Sequence, residues 1–248
     1  MEQANIVGID VGIKNFAVFS DGIVIENPKF LKKFEKRIKI ENQKLSRKEL
    51  KVENDKNGKE YKTSSKNREK QLVKLQNKYR DLRNSRKNFL HQLTHCMITK
   101  YDGFCVESLS INNMIKDAKE EKKKRFVKSL YDVSWGEFFR ILEYKSLWNS
   151  KYFQEIDQFF PSTQTCPFCG HVQKEITLAD RVLICPNCKS VMDRDLRSSK
   201  MTQIEGLRLL KGPQELKAVG EIVIDDFVEA ATSENARPVE NALAFATG

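Results

Sequence analysis

The segment Asn5–Gly22, NIVGIDVGIKNFAVFSDG, constrains the fold more than any other part of the chain. A short apolar run ends in Asp10, a tight turn follows, and a second apolar run ends at the pair Asp21-Gly22. An Asp-Gly pair between strand-like runs is a strong hairpin signal, and Ile23–Ile25 supplies the next strand. The sequence therefore predicts an antiparallel meander with Asp10 on its first, central strand.

Two interpretations of Asp10 are open at this point. A carboxylate inside a buried strand is costly unless it is paired or binds a metal. Alternatively, an acid at a strand end accepts hydrogen bonds from turn amides, which is a purely structural role. Further acids at matching places in the fold would favour the metal-binding interpretation.

Composition narrows the class of protein. The 248 residues are 40% hydrophobic, which is enough for one large domain or two modest ones, and the net charge of +10 favours a polyanionic partner. No apolar run reaches the roughly 18 residues that a membrane span needs. The N-terminus also lacks the basic and apolar regions of a secretory signal. We therefore expect no membrane partner and a cytoplasmic location.

Basic residues are concentrated between Leu31 and Leu90. This stretch holds 21 Lys and Arg against 8 Asp and Glu, a net charge of +13, so the remainder of the chain is slightly acidic. Such segregation favours a polyanion-binding face over an ordinary solvated helical surface. Within it, Val52–Ser65 predicts a loop, and apolar residues at steps of three and four predict a helix over Lys66–Lys100. The other faces of that helix carry Lys74, Lys78, Arg80, Arg83, Arg86 and Lys87.

Two later elements also carry acids. Phe104–Val106 is a short apolar run that ends in Glu107, so Glu107 could lie beside Asp10 on an adjacent strand. Asp195, the last residue of an Asp-Arg-Asp triplet, precedes a helical pattern and would lie near a helix N-terminus, where the dipole favours its ionised form.

The segment between these acids holds a further predicted helix and strand. Ser134 is a predicted N-cap for a helix that runs to about Trp148, with Glu137 completing a capping box. Tyr152–Phe160 predicts a strand.

Four of the six cysteines form two Cys-x-x-Cys pairs separated by fifteen residues, a spacing typical of metal ligands. Their four thiolates would satisfy tetrahedral zinc and leave no open position, so we expect one structural zinc rather than a redox pair or free thiols. Cys96 and Cys105 lie in apolar surroundings and are expected to be buried thiols, as in a reducing compartment. The predicted zinc ligands are Cys166, Cys169, Cys185 and Cys188.

Asp10, Glu107 and Asp195 each end or follow a core-forming element. Divalent cations such as Mg²⁺ prefer oxygen ligands, and two such ions can stabilise the attacking and leaving oxygens of phosphodiester cleavage. Spacing alone does not decide between a metal-dependent nuclease and a phosphate-binding protein.

Together these motifs resemble the TnpB (OrfB) proteins of bacterial insertion sequences, which are similar to the compact type V CRISPR effectors. The resemblance covers about residues 5–215. It implies an α/β fold, namely an RNase H-like (RuvC) mixed sheet flanked by helices with an inserted zinc ribbon, and guide-RNA-directed cleavage of DNA. The segments that carry it are GIDVGIKNFAVFSDG, KNREKQLVKLQNKYRDLRNSRKNFLHQLT, VESLSINNM, WGEFFRILEYKSLW, FFPSTQTCPFCGHVQKEITLADRVLICPNC and DRD.

The resemblance implies a role for each candidate residue. Asp10, Glu107 and Asp195 match the three catalytic acids, with Asp193 the less favoured choice for the third, and the four paired cysteines match the zinc ligands. It implies two catalytic Mg²⁺ or Mn²⁺ ions besides the zinc, with DNA and a guide RNA as partners. The expected nucleic-acid contacts are Arg194 and the six basic residues of the long helix.

The resemblance also implies an organisation of the chain. Residues 1–160 and 190–215 would form the nuclease domain, with 31–100 as a basic helical insertion, 161–190 as the zinc ribbon and 216–248 as a partly disordered tail.

Two departures from the family pattern stand out. After the Asp-Arg-Asp triplet the family continues x-N-A-A-x-N, whereas this chain has LRSSKM, so Arg197 replaces the Asn. The family's N-terminal portion is missing, which predicts a truncated reading frame, a separate domain or a half that works with a second subunit.

Three functions follow from these observations. The leading one is a metal-dependent DNA endonuclease domain, favoured by the presence of all three acids. Arg197 and the missing portion motivate a second, a nucleic-acid-binding remnant or repressor that does not cut. A transposase that performs strand transfer is the third, although nothing in the chain supplies an end-binding domain.

Overall fold

A five-stranded mixed sheet lies at the centre of the computed structural model, which describes residues 4–48, 50–54, 56, 60–116, 121–177 and 179–211. The predicted tail, 216–248, lies outside these ranges. In chain order the elements are β1 Ile6–Val11, β2 Asn15–Phe19, β3 Val24–Glu26, α1 Phe30–Ser46, β4 Lys51–Asn54, β5 Glu60–Thr63, α2 Lys66–Lys100, β6 Gly103–Glu107, α3 Ile111–Lys116, α4 Glu121–Val133, α5 Trp135–Trp148, β7 Tyr152–Ile156, β8 Val182–Ile184, β9 Val191–Asp193 and α6 Arg194–Lys211.

The strand order of the central sheet is β3-β2-β1-β6-β7. The first three strands pair antiparallel, as the Asp-Gly hairpin signal predicts. On the other side, β6 pairs parallel with β1, and β7 pairs parallel with β6. The predicted position of β1 at the centre, and the predicted RNase H-like mixed sheet flanked by helices, are both confirmed.

One face of the sheet is covered by α2 and α5. Phe16 of β2 is buried between them, with its ring 5.2 Å from that of Phe89 on α2 and 5.1 Å from that of Phe138 on α5, both edge to face. Aromatic pairs in this geometry are more favourable than the buried area alone would give. The helix predicted over Lys66–Lys100 is confirmed as α2, and the Ser65 hydroxyl caps its first turn by accepting from the amide of Arg68.

The opposite face is covered by α6, which approaches β1 and β6 at two glycines. A Cβ built on Gly8 would overlap the carbonyl oxygen of Ser199 and lie 2.5 Å from the amide nitrogen of Gln203. A Cβ built on Gly206 would lie 2.6 Å from the Cβ of Cys105, which is fully buried as predicted. The backbones of α6 and β1 therefore touch at Gly8, and the backbone of α6 packs on the Cys105 side chain at Gly206.

Three local predictions are wrong, and the first two concern Val52–Ser65 and Cys96. Val52–Ser65 is not a loop throughout, because β4 and β5 pair antiparallel within it. The sequence Asn57-Gly58 between these strands is itself a hairpin signal. Cys96 is exposed rather than buried, because it lies on the outer face of α2 while Thr94 and Met97 face the core.

The predicted capping box at Ser134 does not form. Ser134 is the single residue between α4 and α5 and turns the chain with a left-handed φ of 56°, whereas an N-cap side chain needs extended backbone. Its hydroxyl donates to the carbonyl of Tyr131, and Glu137 pairs with Arg140 instead.

Within the described ranges, no helix is both long and apolar enough to cross a membrane.

Two glycine substitutions should differ in their effect on stability, because only Gly8 lies at the contact between α6 and β1. Gly8→Ala should destabilise the fold by about 3 kcal/mol, because backbone atoms of α6 must move away from the new methyl group. Gly136→Ala in α5 is the matched control, since its Cβ would make only an ordinary 3.5 Å contact with Ile111. That variant should stay within about 1 kcal/mol of the parent. Urea unfolding followed by circular dichroism measures both, and equal stabilities would contradict the packing account.

Candidate active site

The register of β1 and β6 brings Asp10 and Glu107 side by side. The parallel pairing joins Gly8 to Cys105 and Ile9 to Val106, so the two acids follow next in the same register. Both lie at the carboxyl ends of adjacent parallel strands, an edge where sheets of this kind bind ligands. The prediction that these acids lie on neighbouring strands is confirmed.

The third acid reaches the same edge from α6. Asp195 lies in the first turn of this helix, and its negative charge, with that of Glu107, acts on Asp10. Asp193 has a different role, because its Oδ1 accepts hydrogen bonds from the amides of Asp195 at 2.9 Å and Leu196 at 3.2 Å. Asp193 is therefore the N-cap of α6, which supports the choice of Asp195 as the third acid.

Two guanidinium groups lie beside Asp195. The Nε atom of Arg194 is 3.7 Å from Asp195 Oδ1, and the Nη1 atom of Arg181 is 3.8 Å from the same oxygen. Arg194 is one of the expected nucleic-acid contacts, whereas Arg181, which precedes β8 in the ribbon, is not among the predicted site residues. The amide of Arg194 donates to the carbonyl of Arg181, which ties the ribbon hairpin to the start of α6.

Burial makes two of the acids harder to ionise, and the other two acids add to this effect at Asp10. Burial, with added repulsion from Asp195 and Glu107, raises the pKa of Asp10 to about 8. Burial also raises the pKa of Glu107 above its ordinary value, although a hydrogen bond from Ser162 opposes the rise. A divalent cation would relieve this repulsion, and carboxylates are the ligands that Mg²⁺ and Mn²⁺ prefer. The donor set therefore fits a metal of this class.

Two serines missed by sequence reasoning link the acids. The Ser198 hydroxyl lies 3.2 Å from Asp10 Oδ1 and 3.0 Å from the hydroxyl of Ser162, which is hydrogen-bonded to Glu107. The only sequence signal for this link is that Ser198 occupies a position where the family pattern has Ala.

Arg197 points away from the acids. Its side chain is 2% exposed, and it donates from Nε to the carbonyl of Thr165 at 3.0 Å and from Nη2 to the carbonyl of Gln164 at 2.8 Å. It thus binds the segment that leads into the ribbon.

The four paired cysteines converge at one point. Their sulfur atoms all lie within 4.8 Å of one another, with 3.7 Å between Cys166 and Cys188 and 3.5 Å between Cys169 and Cys185. Tetrahedral zinc with Zn–S bonds of about 2.3 Å would place sulfurs about 3.8 Å apart, so the set fits one zinc ion. Across the described residues, no other three potential ligand atoms, including those of the three acids, come this close.

Each cysteine pair lies in the same kind of turn. The amide of Gly170 donates to the carbonyl of Cys166, and the amide of Lys189 donates to that of Cys185. Gly170 and Lys189 both have left-handed φ angles, of 69° and 60°. The same turn therefore occurs at both cysteine pairs, and the two pairs of sulfur atoms face each other as a tetrahedral zinc site requires.

The six basic residues of α2 that are expected to contact nucleic acid differ in their exposure and in their partners. Lys74, Arg80, Arg83 and Lys87 are exposed, and the last three lie along one helix face at steps of three and four. Lys78 makes a surface pair with Asp81, and such pairs contribute little to stability.

The Arg86 guanidinium is paired with a carboxylate of another helix. It binds the carboxylate of Asp132 at 2.7 Å, and the same carboxylate accepts from the amide of Leu31 at the start of α1. Arg86 therefore joins three helices, and it is the least suited of the six to hold a phosphate.

A mixed sheet with three acids at one edge and a four-cysteine ribbon beside it defines an RNase H-like fold with an inserted ribbon that could hold zinc. Residues 1–118 match the OrfB_IS605 family model, described as "Probable transposase". Residues 135–201 match the model of the Cas12f1-like TNB domain. These matches confirm the resemblance to the TnpB (OrfB) proteins that the sequence motifs indicate.

Similar curated proteins are longer than this chain. A Streptomyces pristinaespiralis protein named "Putative RNA-guided DNA endonuclease" is 29% identical over 81% of this chain and 45% of its own length. The Escherichia coli K12 protein named "Putative RNA-guided DNA endonuclease InsQ" is 28% identical over 89% of this chain and 52% of its own length. The chain thus spans about half the length of these relatives.

Among solved structures, a chain of the cryo-EM structure of the Cas12f1-sgRNA-target DNA complex is also similar. It matches 80% of this chain and 38% of its own length, with 17% identity and a TM-score of 0.49.

The raised pKa of Asp10 predicts that Asp10→Asn stabilises the metal-free site. The unfolded chain releases this proton near pH 3.8, while the folded protein holds it until about pH 8. The contribution of Asp10 to the free energy of unfolding therefore falls as pH rises from about 4 to 8. In zinc-loaded protein without Mg²⁺, Asp10→Asn should gain on the order of 2 kcal/mol at pH 7 and little at pH 4.5. Thermal unfolding at both pH values measures the difference.

Asp21→Asn is a control for which the expected change in stability has the opposite sign. Burial opposes ionisation of Asp21, but hydrogen bonds from Tyr101 and Lys100 prevail and lower its pKa. That carboxylate stabilises the fold above pH 3.8, and the stabilisation is lost as pH falls through its folded pKa, so Asp21→Asn should destabilise the protein at pH 7. A loss of stability for Asp10→Asn at pH 7 would contradict the electrostatic account.

Proposed function

We propose that this chain is the nuclease portion of a TnpB-like, RNA-guided DNA endonuclease. The observation that carries the proposal is the convergence of Asp10, Glu107 and Asp195 at one sheet edge, with electrostatic repulsion between them. The relatives named RNA-guided DNA endonucleases support the choice of DNA as substrate and RNA as guide. Residues 1–160 and 190–215 would form the nuclease domain, 161–190 the zinc ribbon and 216–248 a tail.

The three acids would hold two Mg²⁺ or Mn²⁺ ions. Such a pair of ions supplies an activated water and stabilises both the attacking and the leaving oxygen of a phosphodiester. Asp10 and Glu107, fixed on rigid strands, would set the position of the ions, and Asp195 would approach from the helix. Arg194 would hold a phosphate of the substrate close to Asp195. The four cysteines would hold one structural zinc ion.

The exposed basic face of α2 would bind nucleic-acid backbone. Arg80, Arg83 and Lys87 lie along one side of a rigid helix, with Lys74 one further exposed cation. Phosphate contacts of this kind position a nucleic acid without reading its sequence. Sequence would then be read by a guide RNA, and a second subunit or further segment would complete the binding surface.

Two variants of the Asp-Arg-Asp triplet test the catalytic assignment. Asp195→Asn should reduce Mg²⁺-dependent cleavage of single-stranded DNA at least about 100-fold, because an amide is a poor ligand for a hard cation. Asp193→Asn should stay within about threefold of the parent, since Asn also serves as an N-cap. Gel analysis of labelled DNA measures both.

The same assay separates the endonuclease from a non-cutting relative. Binding of DNA without cleavage by the parent chain, with Mg²⁺ and with Mn²⁺, would contradict the proposal and favour a remnant or repressor. Equal loss of cleavage in both variants would contradict the choice of Asp195 over Asp193.

The two groups of basic residues predict separate effects on binding and stability. Joint replacement of Arg80, Arg83 and Lys87 by Ala should weaken binding to DNA or RNA and lower the salt slope of the binding constant by about 3. Arg86→Ala should instead destabilise the fold by about 2 kcal/mol, because Asp132 loses its buried partner. Fluorescence anisotropy at several salt concentrations, with urea unfolding, distinguishes them. An unchanged salt slope in the triple variant would exclude this face.

A further inference from the structure

The segment that enters the ribbon connects the candidate active site with the first of the four cysteines. This segment, residues 162–165, is called the neck. Its first residue, Ser162, is 5% exposed and lies on the hydroxyl bridge between Asp10 and Glu107. Its last residue, Thr165, precedes the first zinc ligand. The neck thus joins the two metal centres over a few residues.

Arg197 fixes the conformation of the neck from α6. A buried guanidinium is costly unless its donors are satisfied, and here two of them reach the carbonyls of Gln164 and Thr165. The planar fork of Arg presents these donors at a fixed spacing, so both bonds form only when the two carbonyls are held in one arrangement. Arg197 therefore favours this neck conformation over others.

The first cysteine turn holds the neck in place from the other side through the Gln164 carbonyl and the backbone next to it. Gln164 accepts from the amide of Gln173, Thr165 forms a β-bridge with Val172, and the amide of Cys166 donates to the carbonyl of His171. Zinc binding would stabilise the turn between these paired segments, since metal binding at such sites supplies folding energy. The arrangement that Arg197 recognises is thus the one that a zinc-loaded ribbon maintains.

We propose that zinc binding in the ribbon and divalent-cation binding at the acids are thermodynamically coupled through the neck, with Ser162, Arg197 and Ser198 as positioning residues. The inference rests on the proposed metal site at the acids. A loaded ribbon holds the neck, the neck holds Ser162 against Ser198 and Glu107, and the serines orient the two carboxylates. By linkage, a cation bound at the acids raises the affinity for zinc by the same factor.

The coupling depends on particular side chains at positions 197 and 198. An Ala at position 198 would have no hydroxyl to offer Asp10, and an Asn at position 197 lacks the guanidinium fork that bridges two carbonyls. The link is therefore a property of this chain's own side chains.

Binding of Mn²⁺ to the full chain tests the proposal. The free ion is counted by electron paramagnetic resonance, with the ribbon either zinc-loaded or zinc-depleted. Zinc loading should tighten Mn²⁺ binding about tenfold in the parent, within the usual range of coupling between sites. In Ser162→Ala and Arg197→Ala this ratio should fall towards one while one zinc per chain is still bound.

Two further variants separate positioning from packing. Ser199→Ala is the matched control, since Ser199 is equally buried on α6 but its hydroxyl donates only to the carbonyl of Leu196. It should keep the parent ratio. Ser162→Thr retains a hydroxyl and should restore the coupling that Ser162→Ala loses.

The reciprocal measurement needs no zinc-free protein. Zinc retained at equilibrium against a zinc-selective chelator is measured with and without Mg²⁺, which prefers oxygen ligands over thiolates. Mg²⁺ should increase retention in the parent and in Ser199→Ala, but not in Ser162→Ala or Arg197→Ala. Should a zinc-depleted chain or a variant fail to fold, this experiment on folded, zinc-loaded proteins decides the question.

The outcomes distinguish the inference from the function on which it rests. Mn²⁺ binding that is lost in Asp10→Asn but is independent of zinc in the parent would overturn the coupling and leave the nuclease site standing. Coupling that persists in Ser162→Ala and Arg197→Ala would overturn the roles given to these residues. Absence of any Mn²⁺ binding by the parent would overturn both proposals.

Discussion

The close packing of α6 on the two central strands is the constraint on which the rest of the structure depends. Gly8 on β1 lies directly against the backbone of α6, and Gly206 on α6 leaves room only for the small side chain of Cys105, so the helix lies very close to the sheet. This closeness carries the first turn of α6, with Asp195, to the edge where Asp10 and Glu107 end their strands. Bulkier residues at these points would move the third acid away from the other two, because packed interiors have no spare room.

Bringing the acids together has an electrostatic cost. The raised pKa of Asp10 means that the folded chain holds a proton at neutral pH that the unfolded chain would release, so the site opposes the stability of the fold. A strained, charge-rich cluster is the usual compromise of active sites, where stability is given up for binding. Bound cations would reverse the balance, since they favour the ionised carboxylates that the metal-free fold disfavours.

The ribbon is joined to the central sheet more closely than a simple insertion would be. Arg181 lies beside Asp195, Arg197 holds the neck, and Ser162 contacts the serine that bonds Asp10. Each of these contacts connects residues of the ribbon or its neck with α6 or the acids. If zinc binds the four cysteines as proposed, these contacts give it a route to the acids although none of the cysteines is a ligand there.

Local pattern in the sequence determined the meander, the long helix α2, the two cysteine pairs and the three candidate acids. These features follow from alternation, helical period, chelating spacing and strand-terminal position, all of which act over a few neighbouring residues. Only the tertiary structure decided that Arg197 binds the neck, that Ser198 bridges to Ser162 and that Arg86 is paired internally. Those partners are 32, 36 and 46 residues apart along the chain, and nothing in the local pattern of either partner records the other.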